Sequence, residues 1–105
     1  MLLQHVMICF ICDKITNKLY FYDFCYKNKI IEFHGDFWHM NPIRYSANDV
    51  NKKTKIKAID IWEHDKFKNN LCKENGYKLK NIWESDYKKN KEHIILECIK
   101  YLNNE

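Results

Sequence analysis

Ile30-Ile31-Glu32-Phe33-His34-Gly35-Asp36-Phe37-Trp38-His39-Met40-Asn41-Pro42 is the stretch from which the fold is read. Residues 29–34 form an Ile-rich, β-prone run that stops at Gly35, and Asn41-Pro42 closes the loop that follows. Within eight residues the stretch carries two carboxylates and two imidazoles: Glu32, His34, Asp36 and His39. Charge placed in a buried strand has to be paired, bind metal or do chemistry. The segment therefore reads as an active site.

Upstream, residues 19–26 are rich in aromatics and make a β-hairpin pattern with 29–34 around Lys27-Asn28. Pairing Tyr26 with Lys29 sets Phe24 against Ile31 and Asp23 across from Glu32. Directly opposite residues have Cβ atoms about 4.5–5.5 Å apart, where like charges repel. That register calls for a proton or a cation between the two carboxylates. Strand alternation puts Glu32 and His34 on one face, so Asp23, Glu32 and His34 are expected to converge on one point. Residues from about 5 to 11 read as a buried strand, and 13–18 as a turn.

Downstream, residues 44–57 are polar and irregular, the segment expected to be mobile. Ala58, Ile61, His64, Phe67 and Leu71 recur at spacings of three and four, which predicts an amphipathic helix over about 57–75, stopped by Gly76 and burying His64. Residues 77–84 read as a strand. Asp86 or Asn90 is placed to cap a last helix with a core stripe of Ile94, Ile95, Cys98, Ile99 and Leu102. Strand, hairpin, helix, strand, helix is the order of an α/β domain, a mixed sheet with helices packed against it.

At 105 residues the chain has the length of one domain, 1–105. A hydrophobic content of 46% and an aromatic content of 15% mark it as globular rather than disordered. The apolar start lacks a signal peptide's basic region and is shorter than the roughly 20 residues needed to span a bilayer, so a soluble, intracellular protein with no membrane partner is expected. The net charge of +4, carried almost wholly by Lys with Arg44 the one arginine, suits a polyanionic partner and equally a solvated surface. Lys66, Lys68 and Arg44 are candidate phosphate contacts. Five cysteines are an odd number. Cys9 and Cys12 form a CxxC without a second pair at zinc spacing, so reduced thiols are expected and structural Zn²⁺ is not.

An acid on one strand, followed on the next by acid-x-base, is the pattern of the PD-(D/E)XK nucleases. There, oxygens hold a divalent ion that neutralises charge on the phosphate and acidifies a bound water. Asp23 and Glu32-Phe33-His34 resemble it, with His34 where Lys is usual. More specifically, Phe33-His34-Gly35-Asp36-Phe37-Trp38-His39 resembles the FTHGCFWH segment of the very short patch repair endonucleases. Tyr22-Asp23-Phe24 resembles their PDF motif and Ile82-Trp83-Glu84 their IWE strand. Together with the runs from Ile61 to Lys66 and from Ile82 to Tyr87, the segment is closer still to phage and viral homing-type endonucleases of that branch. The resemblance covers about 19–102.

It implies a restriction-endonuclease-like fold and a metal-dependent DNA endonuclease that hydrolyses phosphodiester bonds with water. Asp23 and the main-chain carbonyl of Phe33 would hold Mg²⁺, or Mn²⁺ in its place, with Glu32 added from the wider superfamily pattern. His34 and His39 would be the catalytic histidines. Asp36 replaces a zinc-binding Cys and would add a carboxylate to the site. Phe37 and Trp38 would be an aromatic wedge inserted between base pairs. The implied partner is double-stranded DNA, bound by a monomer or weak dimer. The family's first helix has little room before Leu19, so its absence is expected, with a partner supplying the missing elements or the chain being an inactive DNA-binding remnant. Two rivals are a zinc-stabilised interaction module built on Cys9, Cys12 and the histidines, and a ββα-metal nuclease using His34, His39 and Asn41. Pro42 and the polar loop disfavour the second.

Overall fold

In the computed structural model, which describes residues 9–104, the Ile-rich run is the central strand of a three-stranded sheet. Strands β1 (Cys9–Asp13) and β2 (Lys18–Tyr22) form an antiparallel pair; β3 (Phe24–Tyr26), β4 (Lys29–His34) and β5 (Lys78–Trp83) form a second sheet in the order β3-β4-β5. Helix α1 (Ala58–Glu74) connects β4 to β5, which run parallel, and α2 (Glu84–Lys89) and α3 (Lys91–Asn103) follow. This is a mixed α/β arrangement, as the order of sequence patterns predicts. Residues 5–8 of the first predicted strand lie outside the described residues, and β1 runs on to Asp13. That residue's carboxylate accepts hydrogen bonds from Ile15 N (3.1 Å) and Thr16 Oγ1 (2.9 Å), which builds the turn into β2.

The hairpin register is the predicted one: Tyr26 pairs with Lys29 and Phe24 with Ile31. Lys27 takes φ 54°, the left-handed conformation that an Asn-Gly turn would supply more cheaply. The predicted single strand 19–26, however, breaks at Asp23. Its N–H donates to the Glu32 carboxylate (2.8 Å), and its own carboxylate accepts from Phe33 N (2.8 Å). Side chains thus replace ladder bonds at the point where the chain passes from one sheet to the other.

Helix α1 ends as predicted. Gly76 N donates to Lys73 O and Tyr77 N to Cys72 O, with Gly76 at φ 83°, the paired bonds and left-handed glycine of a Schellman stop. Its inward face differs from the apolar stripe. Ala58, Leu71 and Cys72 are buried and Trp62, Asp65 and Lys68 half-buried, while His64 and Phe67 are exposed, their rings 6.0 and 5.2 Å from that of Tyr20. The helix turns this way because Asp65 and Lys68 have partners on the sheet side. The predicted core stripe of α3 is also corrected. Asn90 caps the helix by accepting from His93 N (3.2 Å), yet no α3 residue is buried and Ile95 and Ile99 are about half exposed. The half-buried edge carries Ile94, Glu97, Cys98, Tyr101 and Leu102.

The 44–57 segment is tied rather than loose. Asn51, 2% exposed, donates to Phe37 O (2.9 Å) and accepts from Lys53 N and Thr54 N, and Ala58 N reaches back to Asp49 O. Among the described residues no helix is long and apolar enough to cross a membrane.

The expectation of reduced thiols fails at one pair. Cys9 and Cys25 form a disulfide that joins β1 to β3, with Cα atoms 6.0 Å apart, inside the cluster of Ile11, Tyr22, Ile30, Leu71 and Cys72. Cys12, Cys72 and Cys98 are free thiols. Pairing across two sheets is invisible to cysteine spacing, and it takes Cys9 out of the CxxC on which the zinc-module rival depends. The bond closes a sequence separation of 16. Its replacement (Cys9→Ser with Cys25→Ser) is expected to lower the unfolding free energy by about 2–4 kcal/mol. A urea midpoint equal to that of the unaltered protein would contradict this.

Candidate active site

Alternation along β4 puts Ile30, Glu32 and His34 on its buried face and Phe33 on the exposed one. At Gly35 the strand gives way to a tight coil in which His39 N donates to Gly35 O (3.0 Å) and Asn41 N to Asp36 O (3.0 Å). Met40, buried at φ 49°, completes the reversal. The coil lays the His39 ring flat on the His34 ring, with centroids 4.0 Å apart and planes within 7°. Trp83, at the end of the neighbouring β5, meets the His34 ring edge-on at 5.0 Å.

Helix α1 closes the site from the other side. Trp62 Nε1 donates to Met40 O (2.7 Å), which anchors the coil, and one turn later Asp65 Oδ2 lies 2.9 Å from His39 Nδ1. With Nδ1 carrying the proton toward the carboxylate, His39 keeps its Nε2 lone pair. His34 is 4% exposed, and among the described residues its Nδ1 has no hydrogen-bond partner. Burial first, then the charges of His39 and Lys68, push the His34 pKa down to about 4 against the opposing pull of Asp65 and Asp23. His34 is therefore neutral near pH 7. An orphaned buried nitrogen costs about 1–3 kcal/mol, and its persistence needs an explanation.

Potential ligand atoms of His34, His39 and Asp65 all lie within 4.8 Å of one another, a group able to hold a metal ion. A groove of about 200 Å³ opens onto two of them, His34 and Asp65, and is lined as well by Pro42, Trp62, Lys66 and Trp83.

Not every residue singled out in the sequence comes to this point. Asp23, Glu32 and His34 do not form a three-ligand group among the described residues. Glu32 is 6% exposed and both of its oxygens are engaged, Oε1 by Asp23 N and Oε2 by Lys68 Nζ at 3.2 Å. The repulsion between the two acids is relieved by exchanged backbone hydrogen bonds and by a lysine, with no need of a shared ion. Lys68 also donates to Phe21 O (2.6 Å) and lies over the Tyr22 ring (4.6 Å), so it is a fixed partner of Glu32 rather than a free phosphate contact.

Asp36 is turned away as well. It is 8% exposed and accepts from Asn41 Nδ2 (3.0 Å) and Ser85 N (3.4 Å), while its own N–H reaches Glu84 Oε1 (3.2 Å). Burial raises its pKa, but the bonds from Asn41 and Ser85 and the charge of Arg44 outweigh burial and hold it below the usual carboxylate range. It ties the coil to α2 and lies outside the His34–His39–Asp65 group.

Asp23 is exposed, and among the described residues only Oδ2 of its carboxylate accepts a protein hydrogen bond. The Phe33 ring is 44% exposed and meets Tyr87 edge-on. Phe37 and Trp38 stand 36% and 56% exposed, their rings 5.0 Å apart. Arg44 borders a cleft of about 420 Å³ with Asp36, Phe37, Tyr45, Lys88 and Lys89, and Lys66 borders the groove at His34 and Asp65.

Asp65 and Trp62 were missed by the sequence reading. The available signal was Trp62, Asp65, Lys66 and Asn69 at helical spacings of three and four, a polar face set aside in favour of the apolar one. No protein-family model, no curated protein and no solved structure matches the chain.

The depressed pKa of His34 has a consequence for stability. The folded state favours neutral imidazole, so its contribution is complete above the ordinary pKa of 6.5 and is lost as pH falls toward about 4. Allowing for solvent screening, about 1–3 kcal/mol is expected to disappear between pH 7 and 4 relative to His34→Gln, whose other titrations are shared. Parallel denaturation curves for the two proteins across that range would contradict it.

Proposed function

We propose that the chain is a DNA endonuclease that hydrolyses phosphodiester bonds of duplex DNA, with His39, His34 and Asp65 at its centre. The observation that carries this reading is the His39 Nδ1–Asp65 Oδ2 bond of 2.9 Å beside a buried, neutral imidazole whose Nδ1 has no hydrogen-bond partner among the described residues. Asp65 holds the His39 tautomer whose Nε2 takes a proton from an attacking water, as carboxylate-oriented histidines do in hydrolases. His34, desolvated and uncharged, is suited to donating a hydrogen bond from its neutral N–H to a phosphate oxygen, the leaving oxygen taking its proton from water. Lys66 at the groove mouth supplies a cation for a phosphate, and the exposed Phe37–Trp38 pair suits insertion into a base stack. The net charge of +4 is of the right sign for the partner.

The motif resemblance brings Mg²⁺, with Mn²⁺ able to stand in. The donors fit a sparse site only. Asp23 offers one unengaged oxygen, the Phe33 carbonyl would be the second ligand, and Glu32, fully engaged, is excluded. Mg²⁺ commonly takes one or two carboxylates and fills its shell with water and substrate phosphate. When bound it would neutralise charge on the phosphate and acidify a water.

The test is nicking of supercoiled plasmid by the purified full-length chain. With Mg²⁺ or Mn²⁺ it is expected to nick, and EDTA to stop it. His39→Ala should lower the rate by about 10²–10⁴, the usual loss of a general base, and Asp65→Asn by about 10–100. Binding to duplex DNA without nicking in either ion would overturn the reading in favour of a non-cleaving DNA-binding protein.

A further inference from the structure

We propose that His34, His39 and Asp65 also form a binding site for a borderline transition ion of the Zn²⁺ type, distinct from the hard-ion position at Asp23. The donor set is the first argument. Two imidazoles and one carboxylate suit Zn²⁺ and its neighbours, whereas Mg²⁺ takes oxygen ligands. The three candidate ligand atoms lie within 4.8 Å of one another. His39 Nδ1 and Asp65 Oδ2, 2.9 Å apart, are already near the spacing of two ligands on one ion, roughly 3–3.4 Å for bonds of about 2.0–2.1 Å.

The orphaned nitrogen is the second, independent argument. His34 is 96% buried (4% exposed), and among the described residues its Nδ1 has no hydrogen-bond partner. An ion would supply the missing partner. Three protein ligands leave a fourth position open, the coordination of catalytic rather than structural zinc, and the groove of about 200 Å³ lined by His34 and Asp65 gives access to it. The Trp62 bond to Met40 O holds the coil that presents His39 from behind.

One rearrangement is required. An imidazole lone pair lies in the plane of its ring, and rings stacked within 7° send their lone pairs along parallel lines. One ring must tip for both to face a single ion. His39 is the one with freedom, its side chain 29% exposed on a coil while His34 is enclosed at a strand end. Ion binding therefore exchanges the shared proton of the His39–Asp65 bond for a metal and unstacks the pair. Both imidazoles are then withdrawn from proton transfer, so Zn²⁺ inhibits Mg²⁺-dependent nicking. That inhibition rests on the nuclease reading; the binding does not.

The experiment is a Co²⁺ titration of the chelator-treated full chain with its disulfide intact, read by visible absorption and followed by Zn²⁺ displacement. One equivalent is expected to bind. His39→Ala and Asp65→Asn should each weaken it at least tenfold, while His93→Ala and Cys12→Ser leave it unchanged. In the unaltered protein Co²⁺ should give the large contact shifts of ligating imidazoles to the ring protons of His34 and His39 and not to those of His64 and His93, a readout independent of how the variants fold. No bound Co²⁺, contact shifts confined to His64 or His93, or binding lost only in Cys12→Ser would overturn the proposal. A chain that binds Co²⁺ in this pattern but nicks no DNA would retain the ion site and discard the nuclease.

Discussion

The exchange of hydrogen bonds around Asp23 and Glu32 is the constraint on which the rest of this structure depends. Glu32 is a buried carboxylate, and burying such a charge costs several kcal/mol unless it is paired and hydrogen-bonded. It has both, taking the Asp23 N–H on one oxygen and the Lys68 ammonium on the other. Asp23 in turn takes the Phe33 N–H. Three polar contacts therefore fix the corner between the two sheets, where a continuous strand would otherwise run.

That corner also sets where the reactive groups fall. With Glu32 held on the buried face of β4, alternation delivers His34 to the same face two residues on, and the coil after Gly35 folds His39 onto it. Helix α1 meets these positions in reverse order, Lys68 on Glu32 and Asp65 on His39, so it runs antiparallel to β4. One helical face thereby neutralises a buried acid and orients an imidazole a turn apart. The proposed chemistry and the proposed ion site both draw on that single packing arrangement.

The sequence disclosed its local structure more readily than its pairings. The hairpin register, the Gly76 stop and the Asn90 cap follow from rules acting over a few residues, and each lies where the pattern puts it. His34 and His39 stood out because ionisable groups in an apolar run are costly. Long-range electrostatics were hidden. Nothing near Glu32 announces that Lys68 neutralises it, so a second acid invited a metal that the geometry does not require. Asp65 was overlooked for the same reason, since its partner is 26 residues away in the chain. The α1 and α3 stripes misled in opposite senses. In α1 bonded polar residues turned inward, and in α3 apolar residues had no further layer to cover them.

The most direct measurement of this account is a double-mutant cycle between Glu32→Gln and Lys68→Met, followed by urea unfolding at pH 7. A buried pair that fixes the sheet corner predicts a coupling of about 2 kcal/mol or more. A coupling below about 0.5 kcal/mol, the level of an exposed surface pair, would contradict it.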